Sequence, residues 1–230
     1  MIASPESDDL WVVIAAYNEA RMIGSVVRGV RAHYGNVVVV DDGSADATAE
    51  EALAAGATVL SHPINLGQGA ALQTGLAYAY GQRATRIVTF DADGQHAIED
   101  VAVMLAIQDR LGVDVVLGSR FLGRTVNMPR SKHLTLKAAV LFTKLTTGMR
   151  LTDAHNGLRL LNRNAAGKIR LRQNRMAHAS EFLSQVRHLH LTYAEAPVTI
   201  SYSQYSVAKG QKLSNAFNIV LELIFGRLGR

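Results

Sequence analysis

Two aspartates separated by one residue, Asp91 and Asp93, are the side chains whose type and spacing best suit chemistry. They follow an apolar run, residues 86–90, which reads as a buried strand that ends there. Residues i and i+2 of an extended segment point the same way, so both carboxylates can approach one cation. Such oxygen ligands suit Mg²⁺ or Mn²⁺, which commonly complete their coordination with substrate phosphates. The alternative is a solvated turn, because Asp and Gly are common turn residues.

Polar side chains follow two other apolar runs in the same way. Tyr17 and Glu19 come after the first run, and Asp41 and Asp42 come after the next. Apolar strands that alternate with helical patterns predict an α/β fold, in which helices cover both faces of a mostly parallel sheet. Ligands of such sheets bind at the carboxyl ends of the strands. Three polar clusters at one edge therefore favour a functional role for Asp91.

The periodicity of apolar residues divides the chain into elements. Strands are predicted at residues 10–16, 37–40, 57–61, 86–90, 113–118, 158–161 and 198–202. Helices are predicted at residues 22–30, 47–55, 65–80, 98–111, 134–147, 178–190 and 213–228. A basic loop is predicted over residues 119–132. No repeat or clean linker separates these elements, so we predict one domain over residues 1–230 with a C-terminal helical extension.

The amino-acid composition limits the classes of protein to which the chain can belong. Apolar residues make up 48% of its 230 residues, enough for a sizeable core, and cysteine is absent. Disulfides, thiolate metal sites and a cysteine nucleophile are therefore excluded. Residues 1–9 are acidic and lack the apolar segment of a signal peptide. No apolar run reaches the roughly 18 residues of a membrane span, so no transmembrane helix is expected.

The charge is strongly segregated along the chain. Residues 1–119 carry 15 acidic and 6 basic side chains, whereas residues 120–230 carry 4 acidic and 18 basic ones. Thirteen Lys or Arg lie within residues 120–175, with a single acid, Asp153. This concentration of positive charge indicates an anionic partner, namely a phosphorylated substrate, a membrane surface or a nucleic acid. The alternative is a basic face that only contacts solvent. Aromatic side chains are too sparse there for a stacking platform, so we expect no nucleic-acid partner.

Five motifs follow one another along the chain: Ala16-Tyr17-Asn18-Glu19, Asp41-Asp42-Gly43-Ser44, Asn65-x-Gly67-x-Gly69, Asp91-Ala92-Asp93-Gly94-Gln95-His96 and Gly118-Ser119-Arg120. Their order and spacing resemble family 2 glycosyltransferases, which have the GT-A fold with a Rossmann-like sheet. More closely, they resemble the dolichyl- and polyprenyl-phosphate sugar synthases, the group of the dolichol-phosphate mannose synthases. The resemblance covers about residues 10–160.

The resemblance implies a nucleotide-sugar donor, with GDP or UDP, bound by residues 10–119. The donor nucleotide would be held by Ala16, Tyr17, Glu19, Asp41, Asp42 and Gly69. Asp91 and Asp93, with Gln95, would bind Mg²⁺ or Mn²⁺ on the diphosphate. The ion would stabilise the charge that develops on the leaving group. A single displacement at the anomeric carbon would invert its configuration.

The resemblance also implies that the acceptor is a polyprenyl phosphate, bound by residues 120–212. A phosphate oxygen is already anionic, so the reaction needs cations that position it more than it needs a strong base. Arginine suits this role because it binds phosphate with two parallel hydrogen bonds. The candidate cations are Arg120, Arg130, Lys132, Lys209 and Lys212.

Two alternatives remain for the chemistry. A hydroxyl acceptor on a growing glycan would require a general base, for which Asp153 and Glu181 are candidates. Asp153 could equally form an ion pair within the basic region, and Glu181 could be a structural helix residue. A nucleotidyltransferase would need a glycine-rich loop with Arg or Lys after the first strand. The chain has Tyr17-Asn18-Glu19 there, which argues against that class.

The C-terminal segment bears on the approach to a lipid acceptor. Residues 213–230 form an apolar helical pattern with a basic rim, which suits an amphipathic helix at a membrane interface. The same helix could instead dock on a separate membrane subunit or close the core of the domain. We therefore expect a cytoplasmic protein that is peripheral on the inner face of the membrane.

Overall fold

The computed structural model describes residues 9–128, 130–154, 156–175 and 177–202, which form one seven-stranded sheet flanked by helices. The strands are β1 (Leu10–Ala16), β2 (Asn36–Asp41), β3 (Thr58–Ser61), β4 (Arg86–Asp91), β5 (Val115–Val126), β6 (Arg159–Asn162) and β7 (Tyr193–Ser201). The helices are α1 (Ile23–Arg31), α2 (Thr48–Ala54), α3 (Gln68–Gly81), α4 (Asp100–Leu111), α5 (Arg130–Thr147), α6 (Arg163–Lys168) and α7 (His178–His188).

The strand order is β3-β2-β1-β4-β6-β5-β7. Strand β2 pairs in parallel with β3 and β1, β1 pairs in parallel with β4, and β5 pairs in parallel with β7. Only β6 runs antiparallel, between β4 and β5. The predicted fold class, a mostly parallel sheet in an α/β protein, is confirmed.

Alternation along the strands divides the core between the two faces of the sheet. Val12 and Ile14 of β1 lie in one apolar cluster with side chains of α1, α2 and α4. Val13 lies in the other cluster, with side chains of α3, α6 and α7. Strands buried on both faces read as continuous apolar runs, as the valines of β1 and β2 do. At Gly75 of α3, a Cβ atom would lie 2.3 Å from Val13, so only glycine lets this helix approach β1 so closely.

The largest departure from the sequence prediction is in residues 119–132, which were predicted to be a basic loop. Instead, β5 continues to Val126 and α5 begins at Arg130. The extension is stabilised by pairing with β7, where Arg124 lies opposite Thr199 after an irregularity in register. This pairing joins segments distant in sequence, so the local basic composition did not reveal it.

The sequence did not predict one short helix, α6. This helix follows Asn162, whose side chain accepts a hydrogen bond from the Ala165 backbone N–H at 2.8 Å. The predicted helix at 213–228 lies outside the described residues. Within the described part of the chain, none of the helices combines the length and the apolar character that crossing a bilayer requires.

Asp114, just before β5, is hydrogen-bonded to residues of β6 and α6 and to the residue that precedes β7. One carboxylate oxygen accepts hydrogen bonds from the side-chain amides of Asn162 and Asn164, at 3.1 and 2.8 Å. The other accepts from the backbone N–H and the hydroxyl of Thr192, both at 2.9 Å. Burial alone would raise the pKa of Asp114, but these hydrogen bonds favour the charged form and lower its pKa to about 2.

We expect Asp114→Asn to lower the free energy of unfolding by about 1 kcal/mol at neutral pH, a value discounted for solvent screening of this partly exposed group. The folded-state pKa lies below the ordinary value of about 4, so the stabilisation is present above that pH and lost as the pH falls towards about 2. Urea unfolding of both proteins across this range measures the difference. Asp109→Asn, which removes an exposed ion pair with Arg86, is the control. A difference independent of pH would contradict the assignment.

Candidate active site at the carboxyl end of the sheet

The register of the sheet brings the predicted polar clusters to one edge. Ala16 at the end of β1 lies opposite Asp41 at the end of β2. On the other side of β1, Ala15 lies opposite Asp91 at the end of β4. The three clusters therefore adjoin, as the sequence predicts. Ala16 is itself buried and its carbonyl accepts a hydrogen bond from the Asp42 backbone N–H at 2.8 Å, so its predicted contact with the donor stays a prediction.

The turns after β1 and β2 are joined by hydrogen bonds. Asn18 adopts a left-handed conformation, with φ of 52°, and its backbone N–H donates to the Ser44 hydroxyl at 2.9 Å. The Asn18 side-chain oxygen accepts from the Ala45 backbone N–H at 2.9 Å. The Glu19 backbone N–H donates to the Thr48 hydroxyl at 2.8 Å. These bonds fix the two turns as one unit.

Three of the residues predicted to bind the donor differ in their exposure. The Tyr17 ring is 45% exposed, whereas Glu19 and Asp41 are only 7% and 6% exposed. Asp41 accepts a hydrogen bond from the Ser44 backbone N–H at 3.2 Å. This edge therefore offers one accessible aromatic ring beside largely buried carboxylates, an arrangement that can stack a base and accept hydrogen bonds from hydroxyls.

Asp42 is engaged by the loop that precedes α3. Its Oδ1 atom accepts from the Leu66 backbone N–H at 3.0 Å and from His62 Nδ1 at 2.7 Å. Its Oδ2 atom accepts from the Gly67 backbone N–H at 2.7 Å and from the Asn65 amide at 3.0 Å. The carboxylate is 2% exposed. Asp42 thus positions this loop, and the donor contact predicted for it stays a prediction.

Two glycines let residues 173–174 lie against the same loop. Gly67 has φ of 109°, which favours glycine, and a Cβ atom at Gly69 would lie 2.0 Å from the Gln173 carbonyl oxygen. The Gly69 backbone N–H donates to the Asn174 carbonyl at 2.7 Å. The neighbouring segment is held by Glu181, which accepts from the backbone N–H groups of Arg172 and Gln173 at 2.9 and 2.8 Å. The geometry therefore supports the structural role for Glu181 over that of a general base.

Asp91 and Asp93 lie at the end of β4, as predicted. Asp91 Oδ2 accepts from His96 Nε2 at 2.9 Å, and its Oδ1 accepts from the Gln68 amide at 3.3 Å. Asp93 accepts from Gln95 twice, from the backbone N–H at 3.1 Å and from the side-chain amide at 2.6 Å. Gln95 therefore orients the Asp93 carboxylate, and its predicted coordination of the metal stays a prediction.

The two carboxylates have opposite electrostatic environments. Burial and then the charge of Asp91 raise the pKa of Asp93 to about 6, although its bond from Gln95 opposes this. Burial would also raise the pKa of Asp91, but the hydrogen bond and charge of His96, with the charges of Arg159 and His178, lower it below its usual range. Negative charge is thus compensated at Asp91 and uncompensated at Asp93, so a cation beside the pair would stabilise both.

The residues at the end of β4 fit a divalent ion that is shared with a substrate. Within the described ranges, no group of three or more His, Asp or Glu side chains could hold a metal by itself. Two carboxylates leave most of an octahedral shell to other ligands, which is the usual arrangement for Mg²⁺ bound with substrate phosphates. The uncompensated charge at Asp93 has the sign that such an ion requires.

The charges of Arg159 and His178 act on Asp91, and the sequence analysis assigned neither residue a role at the site. Arg159 is 5% exposed, its Nε atom donates to the Asn156 carbonyl at 3.1 Å, and its guanidinium lies 4.4 Å from the centre of the Phe182 ring. Burial lowers its pKa to about 10, although Asp91 and Asp153 oppose the shift. The available signal was an arginine directly before a pair of leucines, at the start of the short strand β6.

Arg120 and Asp153 form a buried ion pair. Arg120 Nε lies 2.6 Å from Asp153 Oδ2, which also accepts from the Arg120 backbone N–H at 3.2 Å. A second guanidinium nitrogen donates to the Tyr202 hydroxyl at 2.8 Å. The Asp153 side chain is fully buried. Of the two roles left open for Asp153, the geometry supports the ion pair.

Four other residues are predicted to contact the acceptor phosphate. Arg130 and Lys132 lie in the first turn of α5, but their side chains lie outside what the structure describes. Lys209 and Lys212 lie outside the described residues. Their predicted contact with an acceptor phosphate stays a prediction, as it does for Arg120.

An α/β fold with a carboxylate pair at the strand ends is typical of glycosyltransferases, and comparison with known proteins agrees. The profile of glycosyl transferase family 2 matches residues 11–170. The UDP-N-acetylglucosamine–dolichyl-phosphate N-acetylglucosaminyltransferase of Methanococcus voltae is 32% identical over 243 residues, which cover 96% of this chain and 97% of that one. The polyprenol monophosphomannose synthase of Mycolicibacterium smegmatis is 30% identical over 243 residues, which cover 95% of this chain and 88% of that one.

The solved structures agree on the fold. Glucosyl-3-phosphoglycerate synthase from Mycobacterium tuberculosis, in complex with Mn²⁺ and UDP-glucose, superposes with a TM-score of 0.72 at 19% identity, covering 95% of this chain and 77% of that one. The chain belongs to glycosyl transferase family 2 and is a glycosyltransferase. The predicted resemblance to the polyprenyl-phosphate sugar synthases is confirmed.

The loop role of Asp42 gives a prediction that needs no substrate. In Asp42→Asn, one of the two oxygens becomes an NH₂ group that cannot accept from the backbone, and the charge that strengthens the bonds is lost. We expect hydrogen-exchange protection at the Leu66 and Gly67 amides to fall at least about tenfold. Asp41→Asn is the matched control, because Asp41 bonds the Ser44 N–H instead. Unchanged protection in Asp42→Asn would contradict the role.

Proposed function

We propose that the chain transfers a sugar from a nucleotide-sugar to a polyprenyl phosphate, with inversion at the anomeric carbon and with Mg²⁺ or Mn²⁺ as cofactor. The observation that carries the proposal is the Asp91 and Asp93 pair at the carboxyl end of β4, with uncompensated negative charge at Asp93. The named relatives use dolichyl or polyprenyl phosphates, which supports the acceptor. The Mn²⁺ and UDP-glucose of the structural neighbour support the donor and the metal.

On the donor side, Tyr17, Glu19 and Asp41 would bind the base and ribose. The Asp42-bonded loop that contains Gly67, and Gly69 in the first turn of α3, would border the donor, and Gly69 is hydrogen-bonded to Asn174. When bound by Asp91 and Asp93, the divalent ion acts as a Lewis acid for the leaving diphosphate. Gln95 and His96 would hold the two carboxylates in position. These roles assign residues 10–119 to the donor.

On the acceptor side, residues 120–212 would supply cations. The lipid phosphate needs no strong base, which agrees with the engagement of Asp153 in an ion pair and of Glu181 in backbone hydrogen bonds. Arg130 and Lys132, with Lys209 and Lys212, would orient the phosphate against the anomeric carbon, and Arg120 would border it. Access to a lipid acceptor implies a peripheral position on the membrane, on the cytoplasmic inner face, alone or with a separate membrane subunit.

We expect Asp91→Asn and Asp93→Asn each to reduce transfer at least about a hundredfold with the fold retained, because the charge that binds the metal is lost. EDTA should abolish transfer by the wild type, and Mn²⁺ should restore it. Product mass after incubation with GDP- and UDP-sugars and polyprenyl phosphate measures transfer, and circular dichroism checks the fold. Asp109→Asn, on the outer face of α4, is the control. Near-normal turnover in EDTA would overturn the metal assignment.

We expect Arg130→Ala to raise the KM for polyprenyl phosphate about tenfold, because a charge-assisted bond to phosphate is lost. Slow hydrolysis of the donor without acceptor should change little. Arg150→Ala, beyond the other end of α5, is the matched control. Equal loss of transfer and donor hydrolysis would place Arg130 on the donor side.

The alternative acceptor, a glycan hydroxyl, is separated by the same assay. A hydroxyl acceptor requires a general base. If the protein transfers sugar to glycan acceptors and transfers no sugar to lipid phosphate, the hydroxyl acceptor replaces the lipid phosphate in the proposal. In that case Glu181→Gln or Asp153→Asn should sharply reduce transfer, and the residual activity should lose the acidic limb of its pH profile, along which the base is protonated.

A further inference from the structure

Residues 172–175, between α6 and α7, form an exposed segment with an arginine at each end. The four residues are Arg172, Gln173, Asn174 and Arg175, and all of them are exposed. Together they line an open cavity of about 300 Å³. Because two cations border one cavity, this segment has the charge and the space to take up an anion.

The backbone of this segment is held in place by two helices. The Glu181 carboxylate of α7 accepts hydrogen bonds from the backbone N–H groups of Arg172 and Gln173, at 2.9 and 2.8 Å. The Asn174 carbonyl accepts from the backbone N–H of Gly69 in α3 at 2.7 Å. A fixed backbone therefore presents both arginine side chains, which reduces the ordering entropy that binding a ligand would cost.

The segment lies against the loop that precedes α3, beside the candidate active site. A Cβ atom at Gly67 would lie 2.3 Å from the Asn174 carbonyl oxygen and 3.0 Å from Arg175 Cγ, so only glycine lets the segment lie so close. The next residue of the chain, Gln68, donates from its side-chain amide to Asp91 Oδ1 at 3.3 Å. Arg175 is therefore separated from the carboxylate pair by a single turn of the loop.

The start of α3 does not supply these anion-binding donors itself. A glycine-rich turn before a helix commonly binds phosphate through the free N–H groups of the first helical turn. Here the backbone N–H groups of Gly69 and Ala70 both donate to the Asn174 carbonyl, at 2.7 and 3.3 Å. Because the protein occupies these two donors, a phosphate at this position would depend on side-chain cations.

The preceding arginines of the chain are engaged by the protein, whereas the two arginines of the segment are not. Arg163 donates to the Ala84 carbonyl at 3.0 Å, and Arg170 donates to the Ile169 carbonyl at 2.7 Å. Within the described residues, the guanidinium groups of the segment form neither an ion pair nor a hydrogen bond. A planar guanidinium with unused donors suits phosphate, which it can bind with two parallel hydrogen bonds.

We propose that Arg172 and Arg175 form a phosphate-binding site beside the loop that precedes α3. The phosphate belongs to the donor diphosphate or to the acceptor lipid, and that identity rests on the proposed function. The contact of Arg175 with the loop favours the donor diphosphate, because the loop adjoins Asp91. The second half of the chain would then take part in donor binding and offset charge on the leaving group together with the divalent ion.

Calorimetry of the full chain with two kinds of probe tests the site. The probes are UDP and GDP with Mn²⁺ for the donor, and farnesyl phosphate for the acceptor. We expect Arg175→Gln to weaken binding of the preferred nucleoside diphosphate about tenfold, and the double variant Arg172→Gln, Arg175→Gln to weaken it further, because charge-assisted hydrogen bonds are lost. Binding of the matching nucleoside, followed by NMR, should not change, because the nucleoside has no phosphate.

Two further variants separate a direct contact from a general effect of charge. Arg187→Gln on the exposed surface of α7 removes the same charge away from the cavity, and it is the matched control. Arg175→Lys keeps the charge but loses the paired hydrogen bonds, so its affinity should lie between those of wild type and Arg175→Gln. Circular dichroism shows whether each variant folds.

The two kinds of probe also identify the source of the phosphate. A loss of affinity for the nucleoside diphosphate alone assigns the site to the donor, a loss for farnesyl phosphate alone assigns it to the acceptor, and a loss for both places it between them. Unchanged affinity for both probes in the double variant would overturn the inference. An equal loss in Arg187→Gln, a loss of nucleoside binding, or a wild type that binds neither probe would also overturn it.

These outcomes are separable from those of the proposed function. If the double variant loses affinity for a probe but wild type transfers no sugar to lipid phosphate, the phosphate-binding site stands and the proposed function fails. If wild type transfers sugar to lipid phosphate and the double variant binds both probes as wild type does, the site fails and the function stands.

Discussion

Asp91 and Asp93 place two carboxylates at the end of a strand that is buried on both faces, where burial and mutual repulsion both disfavour charge. The neighbouring side chains compensate the negative charge of Asp91 but not that of Asp93. His96 and Arg159 stabilise charge on Asp91, while Asp93 is left with a raised pKa. Such an arrangement is costly for a merely structural site, but it suits a site that takes up a cation together with a phosphorylated ligand.

The polar groups around Asp91 and Asp93 have different roles. Asp42 and Asp153 are almost fully buried and hydrogen-bonded to the protein, Asp42 to the loop before α3 and Asp153 to Arg120. Buried carboxylates with satisfied oxygens position backbone and cations, and they are poor proton acceptors. Tyr17 is far more exposed. The distinction between positioning and ligand-binding groups thus follows from burial and bonding, not from residue type.

The segregation of charge along the sequence becomes a segregation in space. The acidic strand ends of β1, β2 and β4 lie on one part of the sheet, and the basic residues begin in β5 and α5. In the proposed reaction a donor diphosphate and an acceptor phosphate would repel each other, so the site would need a cation for each. A divalent ion held by carboxylates would serve the donor, and arginines and lysines would serve the acceptor.

The sequence alone determined the α/β class, the strand-end position of Asp91 and the acidic and basic halves, because each of these follows from local periodicity or composition. It left open whether Asp153 is a base or an ion pair. It also did not show that β6, which carries Arg159, inserts antiparallel beside β4, or that β5 extends by pairing with β7. Only the tertiary structure decided these points. Strands that pair across a long stretch of chain are stabilised by contacts with each other, and the local sequence of either strand does not identify its partner.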